Sequence, residues 1–227
     1  MSNVQISKNT INILKNFISI NKSIVINPGN KISTMSVSKT IIAYAEVEED
    51  FTKQIPIYDL GFVINGLALF ENPVFDLSKE KCLIIRDNNS KSHTEIFYAD
   101  PEIIQKAPDQ IRFPSTYCKF RLSYNDIAKL QRAASIYQVK DLCFYSDGTG
   151  SIVASVRDKE NDTSNAFSVI VGEDDREFCF CMKMENLRVM AAEKSPLFYD
   201  VEISDANAAK FVDSKSKLEY FIALEPN

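Results

Sequence analysis

A single histidine, six glycines and no apolar run long enough to span a bilayer set the first limits on this 227-residue chain. A membrane span needs about 20 consecutive apolar residues, and none occurs. Met1–Lys8 has neither the basic n-region nor the apolar stretch of a signal peptide, which leads to the expectation of a cytoplasmic protein. There is no CxxC pair, and His93 stands alone in a polar tip, Asn88-Asn89-Ser90-Lys91-Ser92-His93, so neither a Cys/His zinc site nor a histidine-based catalytic group is expected. Gly148 and Gly150 make a turn without the Lys-Ser/Thr that would follow in a phosphate-binding loop. Five cysteines (Cys82, Cys118, Cys143, Cys179, Cys181) are expected to be buried free thiols. Cys179 and Cys181 would share one face of a strand, a poor arrangement for a disulfide.

Acidic residues are the commoner charge, with a net charge of −5 and a pI near 5.1. Taken as a sum, this argues against a nucleic-acid partner. The distribution argues otherwise. Ser7–Lys22 carries +3 (Lys8, Lys15, Lys22, no acid) and Lys119–Lys140 carries +4, which leaves −12 for the remainder. Such a balance predicts a cationic surface turned away from an acidic exterior.

Both basic windows have one construction. Phe120 and Leu122 alternate with Lys119 and Arg121 as a strand with one buried face, and Ser123 then caps a helix with Asp126 in its first turn. Ile127, Leu130 and Ala134 form its apolar stripe, with Lys129 and Arg132 on another face. At an offset of 116 residues, Ile6-Ser7 matches Leu122-Ser123, Ile11 matches Ile127 and Leu14 matches Leu130. Helix Ser7–Ile20 is predicted to bury Ile11, Leu14 and Ile18 and to expose Lys8, Asn12, Lys15 and Ser19.

Strands are predicted at Ser23–Asn27 and Lys31–Ser36 around Pro28-Gly29-Asn30, then at Thr40–Val47 and Gln54–Ile57. Helix Asp59–Phe70 follows with almost no polar face, then strands Val74–Leu77, Cys82–Arg86 and Thr94–Ala99. Asp100–Ser115, with three prolines and no period, reads as a connector, giving domains 1–110 and 111–227. The second half repeats the first. Its strands are Asp141–Ser146, Ser151–Arg157 (after the turn Asp147–Gly150), Ala166–Gly172 and Glu177–Met182; a fourth helix spans Met184–Glu193, and strands Leu197–Ile203, Ala209–Asp213 and Leu218–Leu224 close the chain. Four copies of a strand–helix–strands unit therefore fill the sequence. Glu48-Glu49-Asp50 and Glu173-Asp174-Asp175 could imitate a metal-binding nuclease site, but both fall between predicted strands, where acidic turns are ordinary. No catalytic class is supported.

In its helix segments Leu14-Lys15-Asn16-Phe17 with Ile20-Asn21, and Ile57-Tyr58-Asp59-Leu60 with Gly61-Phe62, the chain resembles the DNA polymerase sliding clamps of T-even-like tailed phages. Ala208-Ala209-Lys210-Phe211 and Ala223-Leu224-Glu225 extend the resemblance to the whole length; after Pro226-Asn227 the family's acidic extension is short or missing. The resemblance implies an α+β DNA-clamp fold of two similar domains, each with two helices packed on antiparallel sheets, in a closed homotrimeric ring. It implies a non-enzymatic processivity factor without cofactor or metal, working in the cytoplasm of an infected bacterial host. Its partners would be encircled duplex DNA, a DNA polymerase, an ATP-dependent clamp loader and viral late-transcription factors, with no membrane. A β-rich viral structural protein and a carboxylate-metal nuclease are the competing readings. On the ring picture Lys8, Lys15, Lys129 and Arg132, with Lys183 and Arg188 from the fourth helix, face DNA. Leu67, Phe70 and Ile96 meet Ile136, Tyr137 and Val169 of the next subunit through the edge strands, and Ile103, Ile104, Ile111 and Phe113 hold partner peptides.

Overall fold

Serine caps begin the two longest helices of the computed structural model, which describes residues 3–88, 91–161, 163–189, 198–213, 215 and 217–226. The chain divides into two compact units, Met1–Asp109 with Ser216–Leu218 and Gln110–Lys215 with Glu219–Asn227.

In the first unit, β1 (Asn3–Gln5) leads into α1 (Lys8–Ile20), where Ser7 Oγ accepts the Thr10 N–H at 3.2 Å. The face that α1 buries is Thr10, Ile13, Leu14, Phe17 and Ile20. The expected stripe of Ile11, Leu14 and Ile18 is thus rotated, with Ile11 and Ile18 only half-buried on its flank. Phe17 has no solvent exposure, and truncating such a side chain to alanine costs about 3–5 kcal/mol. Strand β2 (Ile24–Ile26) pairs with β5 (Ile55–Ile57), and β3 (Gly29–Met35) with β4 (Ile41–Phe51). β4 runs four residues beyond the predicted Thr40–Val47, because Val47, Glu49 and Phe51 all continue its buried alternation. Glu48-Glu49-Asp50 is therefore strand, not turn.

Helix α2 (Leu60–Leu67) is shorter than predicted and begins at Asp59, whose carboxylate accepts the Gly61 N–H at 2.8 Å. Beyond Leu67 the chain tightens into i→i+3 bonds, Leu69 to Gly66 and Phe70 to Leu67. Gly66 lets this helix lie close on its sheet: a Cβ there would stand 3.1 Å from both Ile85 and Thr94 side chains. That sheet has the order β1–β6 (Pro73–Asp76)–β7 (Cys82–Asp87)–β8 (Thr94–Phe97) and is antiparallel throughout. Residues 98–117 carry neither helix nor strand.

The second unit repeats the opening. β9 (Cys118–Ser123) runs into α3 (Tyr124–Tyr137), with Ser123 Oγ accepting the Asp126 N–H at 3.0 Å. Tyr124, Ile127, Leu130, Ala133 and Ala134 are buried, so the predicted stripe holds here, and Gln138 ends the helix in the left-handed region at φ 54°. One sheet has the order β12 (Phe167–Gly172)–β11 (Ile152–Arg157)–β10 (Asp141–Asp147)–β13 (Glu177–Lys183). The other places β9, β14 (Phe198–Ser204), β15 (Ala208–Asp213) and β16 (Leu218–Ala223) side by side. Its core is aromatic. Tyr199 meets Tyr124, Phe211 and Tyr220 edge-on, and the Tyr124 hydroxyl donates to Asp213 at 2.6 Å.

Two expectations need correcting. The antiparallel register sets Cys143 on β10 directly opposite Cys181 on β13, and the two form a disulfide across 38 residues; Cys82, Cys118 and Cys179 are free thiols. A search along neighbouring positions could not find a bond made across a strand pair. Second, Met184–Asn186 is a single 3-10 turn, and Leu187 and Val189 are buried outside any helix; residues 190–193 of the expected fourth helix lie outside the described residues. Lys183, which caps the turn, makes no side-chain cap bond, so nothing there favours an α-helical start.

Candidate nucleic-acid interface

Amphipathic helices leave a polar face wherever the core takes the other, and here two of those faces are cationic. On α1, Lys8, Asn12, Lys15 and Ser19 are all exposed, and no ion-pair partner of Lys8 or Lys15 is found among the described residues. On α3, Lys129 and Arg132 are exposed; Lys129 has only Asp126, 3.6 Å away and one turn back. Four cations thus stand on helix faces with one carboxylate between them. Flexible cations without fixed geometry suit phosphate oxygens and carry no base readout.

The two weaker candidates behave differently. Lys183 is not on a helix: it ends β13 and lies 2.7 Å from Asp141 and 3.1 Å from Glu225. The hydrogen bonds to Asp141 and Glu225 raise its pKa well above the ordinary lysine value. Burial works against ionising Asp141, but Lys183 and the Lys159 N–H outweigh it and hold this carboxyl below its ordinary value; Lys159 and then Lys183 do the same for Glu225. Lys183 is thereby engaged by two carboxylates of its own unit, unlike the cations of α1 and α3. Arg188 also lies outside any helix and donates to the Glu185 carbonyl at 2.9 Å.

The acidic clusters do not offer open ligand sets. Glu49 is buried and both its oxygens are taken, one by the Ser7 N–H at 2.6 Å and one by the Thr10 hydroxyl at 2.5 Å. Asp174 grips Arg176 at 2.6 Å, and hydrogen bonds from that guanidinium hold its pKa down to about 2. Arg176 in turn lies over the Tyr117 ring, 4.4 Å from its centroid. Among the described residues the one grouping with metal-ligand spacing is Cys143, Cys179 and Cys181, of which two are already bonded to each other. No described helix is long and apolar enough to cross a membrane.

Each unit has a sheet that ends on a strand with exposed apolar side chains. β8 ends its sheet, and so does β12. Edge strands present unpaired N–H and C=O groups, and soluble chains usually protect them. Here they carry apolar side chains instead: Phe97 on β8 is 71% exposed and Ile170 on β12 is 68% exposed. Beside β8 is a groove of about 530 Å³ lined by Tyr58, Phe62, Gly66, Leu69, Ile96 and Phe97. In the second unit, Ile136 and Tyr137 stand exposed at the end of α3. Sequence reasoning named Leu67, Phe70, Ile96 and Val169 for this role. Leu67 is 2% exposed, held in the core of its own unit because it falls on the sheet side of α2, and it leaves the set. Phe70, Ile96 and Val169 are half-buried. The missed residues are Phe62, Phe97 and Ile170, outward members of the same elements, and Leu69 in the turn that follows α2. The alternation within β8 and β12 could have separated them from their inward neighbours.

Of the peptide-holding candidates, Ile104 is buried and pins its segment, while Ile103 is 65% exposed in the first unit. Ile111 is half-buried in the second unit, and Phe113 packs against Phe221 with ring centroids 6.1 Å apart.

A profile described as DNA polymerase processivity factor matches residues 7–104. The sliding clamp of Vibrio phage KVP40 is 31% identical over 98% of this chain and 99% of its own; that of Enterobacteria phage T4 is 28% identical over 98% and 97%. Among solved structures, PCNA of A. fulgidus bound to the C-terminal region of FEN-1 superposes with a TM-score of 0.73 at 12% identity, covering 100% and 99% of the two chains. The Helicobacter pylori beta clamp bound to a DNA ligase peptide gives 0.71 at 13% identity, covering 99% of this chain and 66% of that one.

Proposed function

The chain belongs to the sliding-clamp family of DNA polymerase processivity factors, and from that premise we propose that three copies close into a ring around duplex DNA and tether a replicative polymerase to it. The observation that supports the ring is the pair of edge strands with exposed apolar side chains, β8 and β12. β8 of one subunit adds to β12 of the next, and Phe97, Phe62 and Leu69 are covered by Ile170, Ile136 and Tyr137. Such a contact is heterologous and becomes finite only by closing on itself. Three 25.7 kDa chains give a particle of about 77 kDa.

Topology then supplies what affinity need not. A closed ring leaves duplex DNA only by sliding off an end or by opening, so weak phosphate contacts through Lys8, Lys15, Lys129 and Arg132 suffice and permit movement along the helix. A ring of this kind has to be opened to be threaded, which is the work of an ATP-driven loader. No catalytic step is assigned to the chain itself. Polymerase and other partners dock by short apolar segments. Of the solved structures with this fold, one is bound to the C-terminal region of FEN-1 and another to a DNA ligase peptide, and the exposed Ile103 and Val37 are apolar side chains of the first unit outside the β8 groove. The nuclease reading loses its footing because Glu49 is spent on Ser7 and Thr10.

Primer extension on a long circular template, with loader, ATP and polymerase, tests the function. Longer products at unchanged polymerase concentration are expected. Unchanged product length would overturn it. Sedimentation tests the ring separately, with a species near 77 kDa expected over the 25.7 kDa chain.

A further inference from the structure

Three sulfur atoms of the second unit, those of Cys143, Cys179 and Cys181, lie within 4.8 Å of one another on one face of the β10–β13 pair. Their access to solvent is graded. Cys143 is wholly buried, Cys181 is 6% exposed, and Cys179, the free thiol, is only half-buried. The Cys179 sulfur stands 3.7 Å from that of Cys181 and receives a hydrogen bond from the Arg157 guanidinium at 3.6 Å, which fixes where it points. Along the outer side of β13 the Glu225 N–H donates to the Cys181 carbonyl at 2.8 Å, so the C-terminal segment lies against the strand there, and Cys179 is the most accessible of the three.

From this arrangement we propose that Cys179 is a site of mixed-disulfide formation with low-molecular-weight thiols, and the entry point through which the buried Cys143–Cys181 bond is made and broken. An external thiolate cannot reach the wholly buried Cys143 sulfur and has little access to that of Cys181, and exchange requires direct attack on one of them. Cys179 is already within reach. Its thiolate attacks the Cys181 sulfur, the 179–181 bond forms, the 143–181 bond breaks, and Cys143 leaves as a thiolate that takes up a proton. Two residues along a strand are about 6.6 Å apart at Cα, near the upper limit that a disulfide spans, so the new bond is formable but poorly favoured. An external thiolate then attacks the accessible Cys179 sulfur and releases Cys181, leaving a mixed disulfide on Cys179. A second thiolate attacks the external sulfur of that bond and frees Cys179. The sum converts one protein disulfide and two external thiols into two protein thiols and one external disulfide, and oxidation by an external disulfide runs the same steps backwards.

The test uses the full-length protein in native buffer with reduced and oxidised glutathione, quenched with acid at intervals, alkylated and mapped by peptide mass spectrometry. Wild type should carry glutathione on Cys179 and not on Cys143, with the 143–181 pair interconverting on the same time course. Cys179→Ser should slow that interconversion at least tenfold. Because Cys179 is half-buried, the variant should keep the wild-type melting curve, and Cys179→Ala serves as a second check. Interconversion at the wild-type rate in both variants would show that local unfolding exposes the pair directly and would overturn the proposal. So would glutathione appearing first on Cys143, or a pair that forms no bond in oxidised glutathione.

Discussion

Glu49, inside strand β4, accepts the hydroxyl hydrogen bond of Thr10 in the first turn of α1, 39 residues earlier, at 2.5 Å. Its other oxygen takes the N–H of Ser7 at 2.6 Å. A buried carboxylate therefore fastens the start of a cationic helix to the sheet beneath it, and its negative charge sits at the positive end of that helix. Glu49→Ala should leave Ser7 N–H and Thr10 Oγ1 without this acceptor. A buried donor left unsatisfied costs about 1–3 kcal/mol, and a urea midpoint lowered at unchanged slope is the expected result. An unchanged midpoint would mean that water replaces the carboxylate without penalty.

Reversing Lys8, Lys15, Lys129 and Arg132 to Glu should shorten the lifetime of the protein on nicked circular DNA and flatten the salt dependence of that lifetime. Stability should barely move. All four side chains are exposed, and the one ion pair among them, Lys129 with Asp126, belongs to a class worth under about 1 kcal/mol. Retention is read on a loader-charged plasmid by gel filtration, and stability by thermal melting. Normal retention by the fourfold variant would move the DNA-facing surface elsewhere.

Local signals were legible where local chemistry decides. Ser7, Asp59 and Ser123 cap the helices expected of them, and the edge strands near Thr94 and Ala166 were identified by position. Decisions made across the fold were not legible. Whether Ile11 or Ile13 turns inward depends on what lies under α1, and Leu67 turns into the core because a helix of eight residues offers too few turns to fix its facing from the sequence. The Cys143–Cys181 bond and the grip of Asp141 on Lys183 join residues about 40 positions apart through strand register, which no short window contains.

Acid should loosen the second unit through Asp141 and Glu225. Both carboxyls titrate below their ordinary values of 3.8 and 4.5 in the folded chain, Asp141 despite its burial and Glu225 chiefly through Lys159. A group whose folded pKa is depressed adds stability above its unfolded pKa and loses it as pH falls through the folded one. The loss should therefore begin near pH 4.5 and deepen below 3.8. Lys183→Met removes the partner they share, so its acid-unfolding midpoint should shift to higher pH while the melting curve at high salt changes less. Coincident acid transitions for wild type and variant would show that Lys159 alone holds both carboxylates.

The proposed subunit seam gives the sharpest outcome. Phe97 and Ile170 are outward side chains of the edge strands β8 and β12, and neither supports its own unit's core. Phe97→Asp or Ile170→Asp should therefore leave each unit folded while placing a charge where edge meets edge. An uncompensated charge enclosed in an apolar contact costs several kcal/mol, enough to undo a trimer at micromolar concentration. Sedimentation should show chains of 25.7 kDa with an unchanged circular dichroism spectrum. Mixing the two variants supplies a control, since each retains one intact edge and should pair with its complement into dimers that cannot close. Leu67→Asp, by contrast, should unfold the first unit, because that side chain is core. Persistent trimers in both edge variants would place the interface on other surfaces.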